Sequence, residues 1–386
     1  MKDLSVTVGR RPFMKIFTPY RVCPLGAHVD HQLGRVTGFA LDRGVMLQFE
    51  KTEDGSVDVE SRNFAGKTEF NIDEVPERQY SWGDFIQGVV VAMKQKYELK
   101  FGIKGVVEGT LPVGGLSSSA AVILTYLSAF SMVNDIHLTQ HQMIKMAIWT
   151  ERNYIGVNVG KLDQSCEVYC RKDHLLYLDT KDDSIENIFV NPAMKPFEIM
   201  IAFSGIERKL AGSAYNTRVD ECKAAAYALK AYAHMDYGKY EETYLRDIPF
   251  GVYEEYKSQL PKPWAKRAKH FFEENQRVKM GVKAWRKGDI EAFGELITQS
   301  GESSIYQYQT GSDELKTLHD IAKGIDGVYG GRFSGAGFNG CFMAIVDPDK
   351  KDAIEAEVTR QYLAAFPELS DKFSVAFCKT ADGVRL

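Results

Sequence analysis

The chain has 386 residues, more than one hydrophobic core usually supports, so we expect two domains or one large unit with two lobes. Hydrophobic residues make up 44% of the sequence and charged residues 26%, the composition of a soluble globular protein. The net charge of -4, with lysine and arginine scattered along the chain, favours neither nucleic acid nor a membrane as a partner. Residues 1–17 have no long apolar core, so we expect no signal peptide and a cytoplasmic location.

The first stretch that suggests chemistry is residues 21–32, with the sequence R-V-C-P-L-G-A-H-V-D-H-Q. It combines a cation, a carboxylate and two imidazoles in one short loop with apolar residues around them. A plain surface turn with a hydrogen-bonded aspartate is the simpler interpretation, and this loop alone does not exclude it.

The following segments predict strands and a helix. Short alternating segments separated by turn residues, among them 53–56, indicate antiparallel hairpins. The alternating segments are residues 36–41, 45–49, 57–61 and 68–72. Residues 84–97 predict a helix with apolar residues on both sides.

The central stretch of the chain is L-P-V-G-G-L-S-S-S-A-A over residues 111–121. A β-branched strand pattern precedes it at 105–110, and an uncharged helix pattern too short to span a bilayer follows at 122–133. A strand, a glycine turn, serines and a helix aim backbone N–H groups and a helix dipole at one point, where a phosphate chain binds well. The alternative is an ordinary turn in which the serines only cap the helix. No lysine follows the glycines as it does in the Walker pattern.

Further elements follow in order. A helix is predicted at 139–153, then a glycine-containing turn that runs to Asp163 and Gln164, and strands near 167–179. The charged loop 182–196 marks the expected boundary between an N-terminal domain (1–190) and a C-terminal domain (191–386). The second half predicts helices at 211–234, 265–286, 289–300 and 312–325, and then strand, helix and strand at 341–346, 352–366 and 373–378.

A second glycine-rich turn, G-G-R-F-S-G-A-G-F-N-G-C, lies at residues 330–341 between strand signals. It could be a plain hairpin, but two such turns in one chain also fit two lobes that each lend a backbone loop to one polyphosphate. The six cysteines are spread out in apolar surroundings without a second metal-ligand pair, so we expect free, buried thiols.

Taken together and in this order, these stretches resemble the GHMP kinase superfamily, and within it the galactokinase-like sugar kinases. The family phrase R-V-N-L-I-G-E-H-T-D-Y is similar to residues 21–31, and the phosphate loop L-P-x-G-x-G-L-S-S-S-A is similar to 111–120. Residues 151–164, 212–218 and 334–341 match three further family motifs. The resemblance implies an α+β fold with two lobes. The N-terminal lobe would contain a mixed sheet and helices. The C-terminal lobe would be rich in helices and contain a ferredoxin-like sheet, and the active site would lie in the cleft between the two lobes.

The resemblance also implies roles for individual residues. Asp163 would face the anomeric hydroxyl of the sugar as the catalytic carboxylate, and Arg21 would stabilise developing charge beside it. Ser119 and Glu151 would hold Mg²⁺. The implied sugar-binding positions are Ala27, His28, Val29, Asp30 and Tyr215. The implied ATP-binding positions are Val113, Gly114, Gly115, Leu116, Ser117, Ser118, Ser119, Gly335 and Gly337.

Ala27 departs from the galactokinase pattern, which has glutamate where it contacts the hydroxyl on carbon 6 of galactose. Alanine removes a negative charge and several atoms, which would suit a larger, anionic substituent such as the carboxylate of galacturonic acid. The sequence of residues 23–32 also resembles that of the galacturonokinase branch. His28, His31 and Arg43 are candidates for a cation that pairs with that carboxylate.

The sequence therefore predicts a kinase that transfers phosphate from ATP, with Mg²⁺, to the anomeric hydroxyl of galacturonate. The alternatives are a galactokinase, a sugar sensor without catalysis on the same fold, and more distantly a mevalonate or homoserine kinase. The expected partners are small-molecule substrates, with the chain as a monomer or weak homodimer.

Overall fold

The structure is a computed structural model that describes residues 13–112, 114–206, 212–236, 238–338 and 340–385, with only the backbone of 212–214. Within these ranges no helix combines the length and the apolar character needed to cross a membrane. All six cysteines lie in the described ranges, and they are free and buried as predicted.

Two sheets contain the strands of the described residues. The strands are β1 (Met14–Val22), β2 (Arg35–Thr52), β3 (Ser56–Ser61), β4 (Lys67–Asn71), β5 (Gly102–Gly109), β6 (His174–Asp179), β7 (Ser184–Phe189), β8 (Glu198–Phe203), β9 (Val328–Phe333), β10 (Cys341–Val346), β11 (Ser374–Cys378) and β12 (Thr380–Ala381).

Helices pack against both sheets and make up about half of the second half of the chain. They are α1 (Asp84–Lys94), α2 (Ser118–Val133), α3 (Gln140–Trp149), α4 (Leu162–Tyr169), α5 (Gly212–Tyr232), α6 (Phe250–Tyr256), α7 (Lys262–Lys287), α8 (Ile290–Ser303), α9 (Asp313–Ala322) and α10 (Lys351–Ala365). Two short π-helical turns, Thr150–Ile155 and Ser304–Tyr308, extend α3 and α8.

The first sheet has the strand order β4-β3-β5-β2-β6-β7, and β1 and β12 also pair with β2. The prediction of two strands at 36–41 and 45–49 is wrong, because β2 is one 18-residue strand that pairs with β6 early and β5 late. The turn at 53–56 does not close a hairpin either, since β5 lies between β2 and β3 and runs parallel to β3. The sheet is therefore mixed.

The second sheet has the antiparallel order β11-β8-β10-β9. Along the chain these strands and their helices follow the pattern β8–helices–β9–β10–α10–β11, which is the ferredoxin-like arrangement expected from the resemblance. The second glycine-rich turn connects β9 to β10, so this sheet fixes the position of the turn.

Both faces of the second sheet are buried. Side chains alternate along β10, so Cys341 and Met343 lie in a core cluster shared with the first sheet, whereas Phe342 and Ala344 face α9 and α10 in another cluster. The two sheets thus share one hydrophobic core. The predicted domain division after residue 190 stays a prediction.

The central helix α2 is the buried core helix expected from its uncharged sequence, and it packs against β1, β2, β5 and helices α1, α3 and α4. Two other predictions are wrong. Residues 167–169 are the end of helix α4 and not strand, and the loop predicted at 182–196 contains strand β7. In each case the segment is short, and its own residues do not determine whether it forms a strand, because strand formation depends on the neighbouring segments it packs against.

Candidate active site

Arg21 and Asp163 form an ion pair where β1 ends and α4 begins. The Arg21 Nε donates to Asp163 Oδ1 at 2.7 Å, and Nη2 lies 2.6 Å from the same oxygen. The side chain of Arg21 is 5% exposed and that of Asp163 25%, so the carboxylate is the more accessible partner. Burial by itself lowers the pKa of Arg21, but the adjacent Asp163 outweighs it and the pKa is raised. The guanidinium therefore stays charged.

The two glycine-rich turns meet, although they are more than 200 residues apart in the sequence. A Cβ added to Gly114 would lie 3.0 Å from the Cα of Gly340, and one added to Gly335 would lie 2.9 Å from the Cα of Gly115. All four glycines have positive φ, as does Gly337. Only glycine permits this backbone conformation and this approach together.

The ion pair lies at the junction of these turns. Arg21 Nη1 donates to the carbonyl oxygen of Gly115 at 3.0 Å, and Ser334 Oγ donates to the same oxygen at 2.7 Å. One guanidinium therefore contacts Asp163 and the first turn, and it lies 3.4 Å from the Ser334 hydroxyl of the second turn. These contacts bring the predicted catalytic pair and the predicted phosphate loops together.

Helix α2 begins at Ser118, directly after the first turn, and its N-terminus points to the same region. Ser117 has φ 60° and its buried hydroxyl has no partner among the described residues. Leu116 is buried in the core, so only its main chain faces the turn. Val113 and Asn339 lie outside the described residues. Free N–H groups and the helix dipole make this end of α2 suitable for a phosphate.

Ser119 and Glu151 are in direct contact. The Ser119 hydroxyl donates to Glu151 Oε1 at 2.8 Å, and the amide of Gln164 bonds to Oε2. Glu151 is buried in the first π-helical turn, a distortion frequent at functional sites. No group of three or more histidines, cysteines or acidic residues suited to a metal occurs among the described residues. The pair supplies hard oxygen ligands, and Mg²⁺ commonly takes only one or two protein ligands beside phosphates and waters.

Asp30 connects the loop of residues 21–32 to the turn before α4. Its Oδ2 accepts from the Leu162 N–H at 3.3 Å, and a Cβ on Gly160 would lie 1.8 Å from this oxygen, so any other residue at position 160 would displace the carboxylate. Burial and then the charge of Asp163 raise the pKa of Asp30. Burial and the charges of Asp30 and Asp163 raise the pKa of Tyr215, so all three predicted residues share one electrostatic environment.

His28 and His31 pack around Tyr308. The ring of His28 stacks on that of Tyr308 at 4.4 Å, and His31 Nε2 lies 3.0 Å from the Tyr308 hydroxyl. Burial lowers the pKa of His28 well below its usual value and that of His31 to about 3, so both rings are neutral near pH 7. Arg43, the third candidate for a cation that pairs with the substrate, is exposed and pairs with Asp42. None of the three is therefore a buried cation.

Ala27 and Val29 are buried in the same loop, and Val29 packs within an apolar cluster. Several polar residues that the sequence analysis did not assign contact the site. These residues are Gln164, His270, Glu274, Tyr308 and Ser334. A partial signal for two of them is the spacing of His270 and Glu274, which places both on one face of α7.

Glu167 is fully buried one helical turn after Asp163, and both of its carboxylate oxygens lack a partner among the described residues. Burial and then the charge of Asp163 raise the pKa of Glu167 well above its usual value. The folded chain therefore holds a proton here that the unfolded chain loses at lower pH. This contribution to stability is present below the ordinary glutamate pKa and is lost as the pH rises to the folded pKa.

Glu167→Gln is expected to stabilise the protein at pH 8 and to have little effect near pH 4.5. The difference from wild type should grow by up to about 1.4 kcal/mol for each pH unit between the two pKa values, because glutamine does not titrate. Denaturant unfolding of both proteins across this pH range measures it, with the exposed Glu98→Gln as control. A difference that does not vary with pH would contradict the assignment of a buried proton.

A helix N-terminus and two glycine turns that face an arginine–carboxylate pair define a small-molecule kinase, an enzyme that moves a phosphoryl group to a hydroxyl. The sequence matches the GHMP kinases N terminal domain over residues 84–171 and the GHMP kinases C terminal domain over 282–364. A galacturonokinase of Arabidopsis thaliana is 38% identical, over 96% of this chain and 93% of its own. The chain therefore belongs to the GHMP kinase superfamily, and it is an ATP-dependent sugar kinase.

Other relatives support the same class. A galactokinase of Roseiflexus sp. is 30% identical over 97% of this chain and 93% of its own. The crystal structure of Lactococcus lactis galactokinase complexed with galactose has a TM-score of 0.88 and 28% identity, and the match covers 97% of this chain and 95% of that one. A mevalonate kinase of Methanococcus jannaschii, with a TM-score of 0.65 and 17% identity, shares the fold.

Proposed function

We propose that this protein transfers the γ-phosphoryl group of ATP to the anomeric hydroxyl of D-galacturonate, which gives galacturonate 1-phosphate. The observation that carries the choice of sugar is Ala27, a small, uncharged and buried residue in the loop that also contains His28 and Asp30. The relative named galacturonokinase supports the same substrate, whereas the relatives named galactokinase support a neutral hexose.

Asp163 and Arg21 would act on the hydroxyl that receives the phosphoryl group. Asp163 is the more exposed member of the pair and would orient that hydroxyl and take its proton. Arg21 stays charged and also contacts the first glycine turn, so it can stabilise negative charge that develops between sugar and phosphate. Asp30 and Tyr215, which share this electrostatic environment, would hold the sugar ring.

The ATP phosphates would lie between the two glycine turns at the N-terminus of α2. The main-chain N–H groups of residues 114–119 and the Ser117 hydroxyl, which lacks a partner among the described residues, are the proposed donors. The second turn, with Gly335 and Gly337, would cover the phosphates from the other sheet. Phosphoryl transfer depends mainly on such positioning and charge neutralisation.

Mg²⁺ would be held by Ser119 and Glu151, together with phosphate oxygens and water. When bound, the ion would neutralise phosphate charge. The contact of the two side chains at 2.8 Å and the hydrogen bond of Gln164 to the second carboxylate oxygen keep Glu151 oriented toward the N-terminus of α2.

Glu151→Gln is expected to raise the Mg²⁺ concentration for half-maximal rate by about 10- to 100-fold, because it removes a charged ligand worth roughly 1.5–3 kcal/mol. Initial rates as a function of free Mg²⁺ at saturating ATP measure this shift. Ser119→Ala should shift the curve in the same direction, whereas Ser128→Ala, further along the same helix, should not. An unchanged Mg²⁺ dependence in the Glu151 variant would exclude it as a ligand.

Positive charge near the sugar loop would favour an anionic substituent on carbon 6. Arg332 in β9 is buried, its Nε has no partner among the described residues, and its Nη1 lies 3.5 Å from the carbonyl oxygen of Cys23. After burial, its charge is the largest cause of the lowered pKa of His28. A glutamate at position 27 would offset this field.

Steady-state kinetics with galacturonate and with galactose test the proposed substrate. The expected result is a higher kcat/KM for galacturonate, with ADP released in equal amount to sugar 1-phosphate. A higher kcat/KM for galactose would instead establish the galactokinase alternative, which the match to the Lactococcus lactis galactokinase structure favours.

A further inference from the structure

Helix α7 holds both peptide groups of residue 27. Oε1 of Glu274 accepts the N–H of Gly26 at 2.8 Å and that of Ala27 at 3.1 Å. His270 Nε2 lies 2.8 Å from the carbonyl oxygen of Ala27. His270 and Glu274 are four residues apart, so they are on the same face of α7, and both are fully buried.

The charge states of Glu274 and His270 fit their hydrogen bonds to the main chain of residues 26 and 27. Burial acts to raise the pKa of Glu274, but nearby positive charge, with Arg277 as its largest source, and the hydrogen bond from Ser300 act against it and the pKa is lowered, so the carboxylate is ionised. Arg277 Nε donates to Glu274 Oε2 at 3.0 Å, and Ser300 Oγ donates to Oε1 at 2.6 Å. Glu274 Oε1 thus accepts three hydrogen bonds. Because the carboxylate is charged, it is a strong acceptor for the two main-chain N–H groups.

His270 is neutral, because burial lowers its pKa to about 4. Since a carbonyl oxygen can only accept, Nε2 must carry the proton that is donated to Ala27. The Ala27 carbonyl therefore fixes the tautomer, and Nδ1 is left to accept from the Ser303 hydroxyl at 2.9 Å. Ser303, at the end of helix α8, therefore contacts the His270 ring on the side away from Ala27.

The main chain has positive φ on both sides of Ala27. Gly26 has φ 101° and His28 has φ 55°, and a left-handed non-glycine residue persists only where its surroundings hold it. A Cβ on Gly26 would also lie 2.5 Å from the Cα of Val36, so the loop packs closely against β2 at this residue. The hydrogen bonds from α7 are the contacts that hold residue 27 between these two positions.

We propose that His270 and Glu274 are positioning residues that fix the direction of the Cα–Cβ bond of Ala27, and thereby set which substituent on carbon 6 the pocket accepts. This inference rests on the proposed function. Neither residue has to touch the substrate, because each acts through the peptide groups of residue 27.

The test compares His270→Leu, which removes the donor to Ala27, with His270→Gln, which places an amide N–H near the position of Nε2. His270→Leu is expected to raise KM for galacturonate by about 10-fold or more. The preference for galacturonate over galactose should fall by a similar factor, while KM for ATP stays constant. His270→Gln should restore both parameters. Glu274→Gln should act like His270→Leu, whereas Glu273→Gln, the adjacent half-exposed residue, should behave as wild type.

Ser303→Ala removes only the donor to His270 Nδ1 and serves as the milder variant if His270→Leu does not fold. We expect its KM for galacturonate to rise about 3-fold or more, with KM for ATP unchanged. The proposal is overturned if these variants change only thermal stability, or if they raise both KM values equally. If wild type itself prefers galactose, the proposed substrate is wrong, and the change of preference in the variants still decides the role of α7.

Discussion

Asp163→Asn is expected to lower kcat for sugar phosphorylation by about 10²- to 10⁴-fold, the range that a positioned acid–base group contributes. Asparagine retains an oxygen that accepts from Arg21 but cannot take the proton of the hydroxyl. KM for ATP should change by less than about threefold, because the glycine turns keep their contacts with Arg21 and Ser334. Steady-state kinetics with each substrate varied in turn measure both parameters.

Asp135→Asn is the matched control. The Asp135 side chain is 98% exposed and its residue has φ 54°, a conformation that asparagine also adopts readily. Its kinetics and thermal stability should equal those of wild type. If folded Asp163→Asn retains kcat within about tenfold of wild type, a proton-accepting role for Asp163 is excluded.

Ala27→Glu is expected to lower kcat/KM for galacturonate by about 10²- to 10³-fold, because two carboxylates in a buried pocket repel by several kcal/mol. Since α7 fixes both peptide groups of residue 27, the new side chain cannot avoid the pocket by a change of the main chain. The kcat/KM for galactose should remain the same or rise. Kinetics on both sugars with one enzyme preparation give the change in preference directly.

Ala27→Gln separates charge from size, since glutamine has nearly the volume of glutamate without its charge. We expect the glutamine variant to lose much less activity on galacturonate than the glutamate variant. An equal loss in both would attribute the effect to volume alone, and no loss in the glutamate variant would contradict the proposed position of the sugar carboxylate.

Local sequence patterns predicted α2 and β10 well because each is specified by its own residues. Helix α2 is an uncharged run directly after a glycine turn, and β10 is a continuous apolar run bounded by glycine and proline. The length of β2 was not predictable in this way, since Asp42 and Arg43 interrupt its alternation, and the pairing with β1 is irregular at this point but resumes on both sides of it. Strand order has the same limit, because the insertion of β5 between β2 and β3 depends on distant segments.

For the site, the motifs pointed to residues that the folded chain brings together, but not to the residues that hold them in place. The pairing of Arg21 with Asp163 and of Ser119 with Glu151 follows the roles that the resemblance implied. Glu274 was missed because a charged residue in a helix usually faces solvent, and its burial depends on Arg277. A stripe of polar residues at helical spacing on α7 was the available signal, and it comprises Arg267, His270, Glu274 and Arg277.

The junction of the two glycine turns consists of main chain, with Gly114 and Gly335 each approaching the backbone of the opposite turn. In the proposed binding mode, main-chain amides would contact the triphosphate, which adenosine and guanosine triphosphates have in common, so this junction would not distinguish one base from another. Selectivity among nucleotides must therefore arise from side chains outside the turns. Engineering that selectivity can leave the backbone of the two turns untouched.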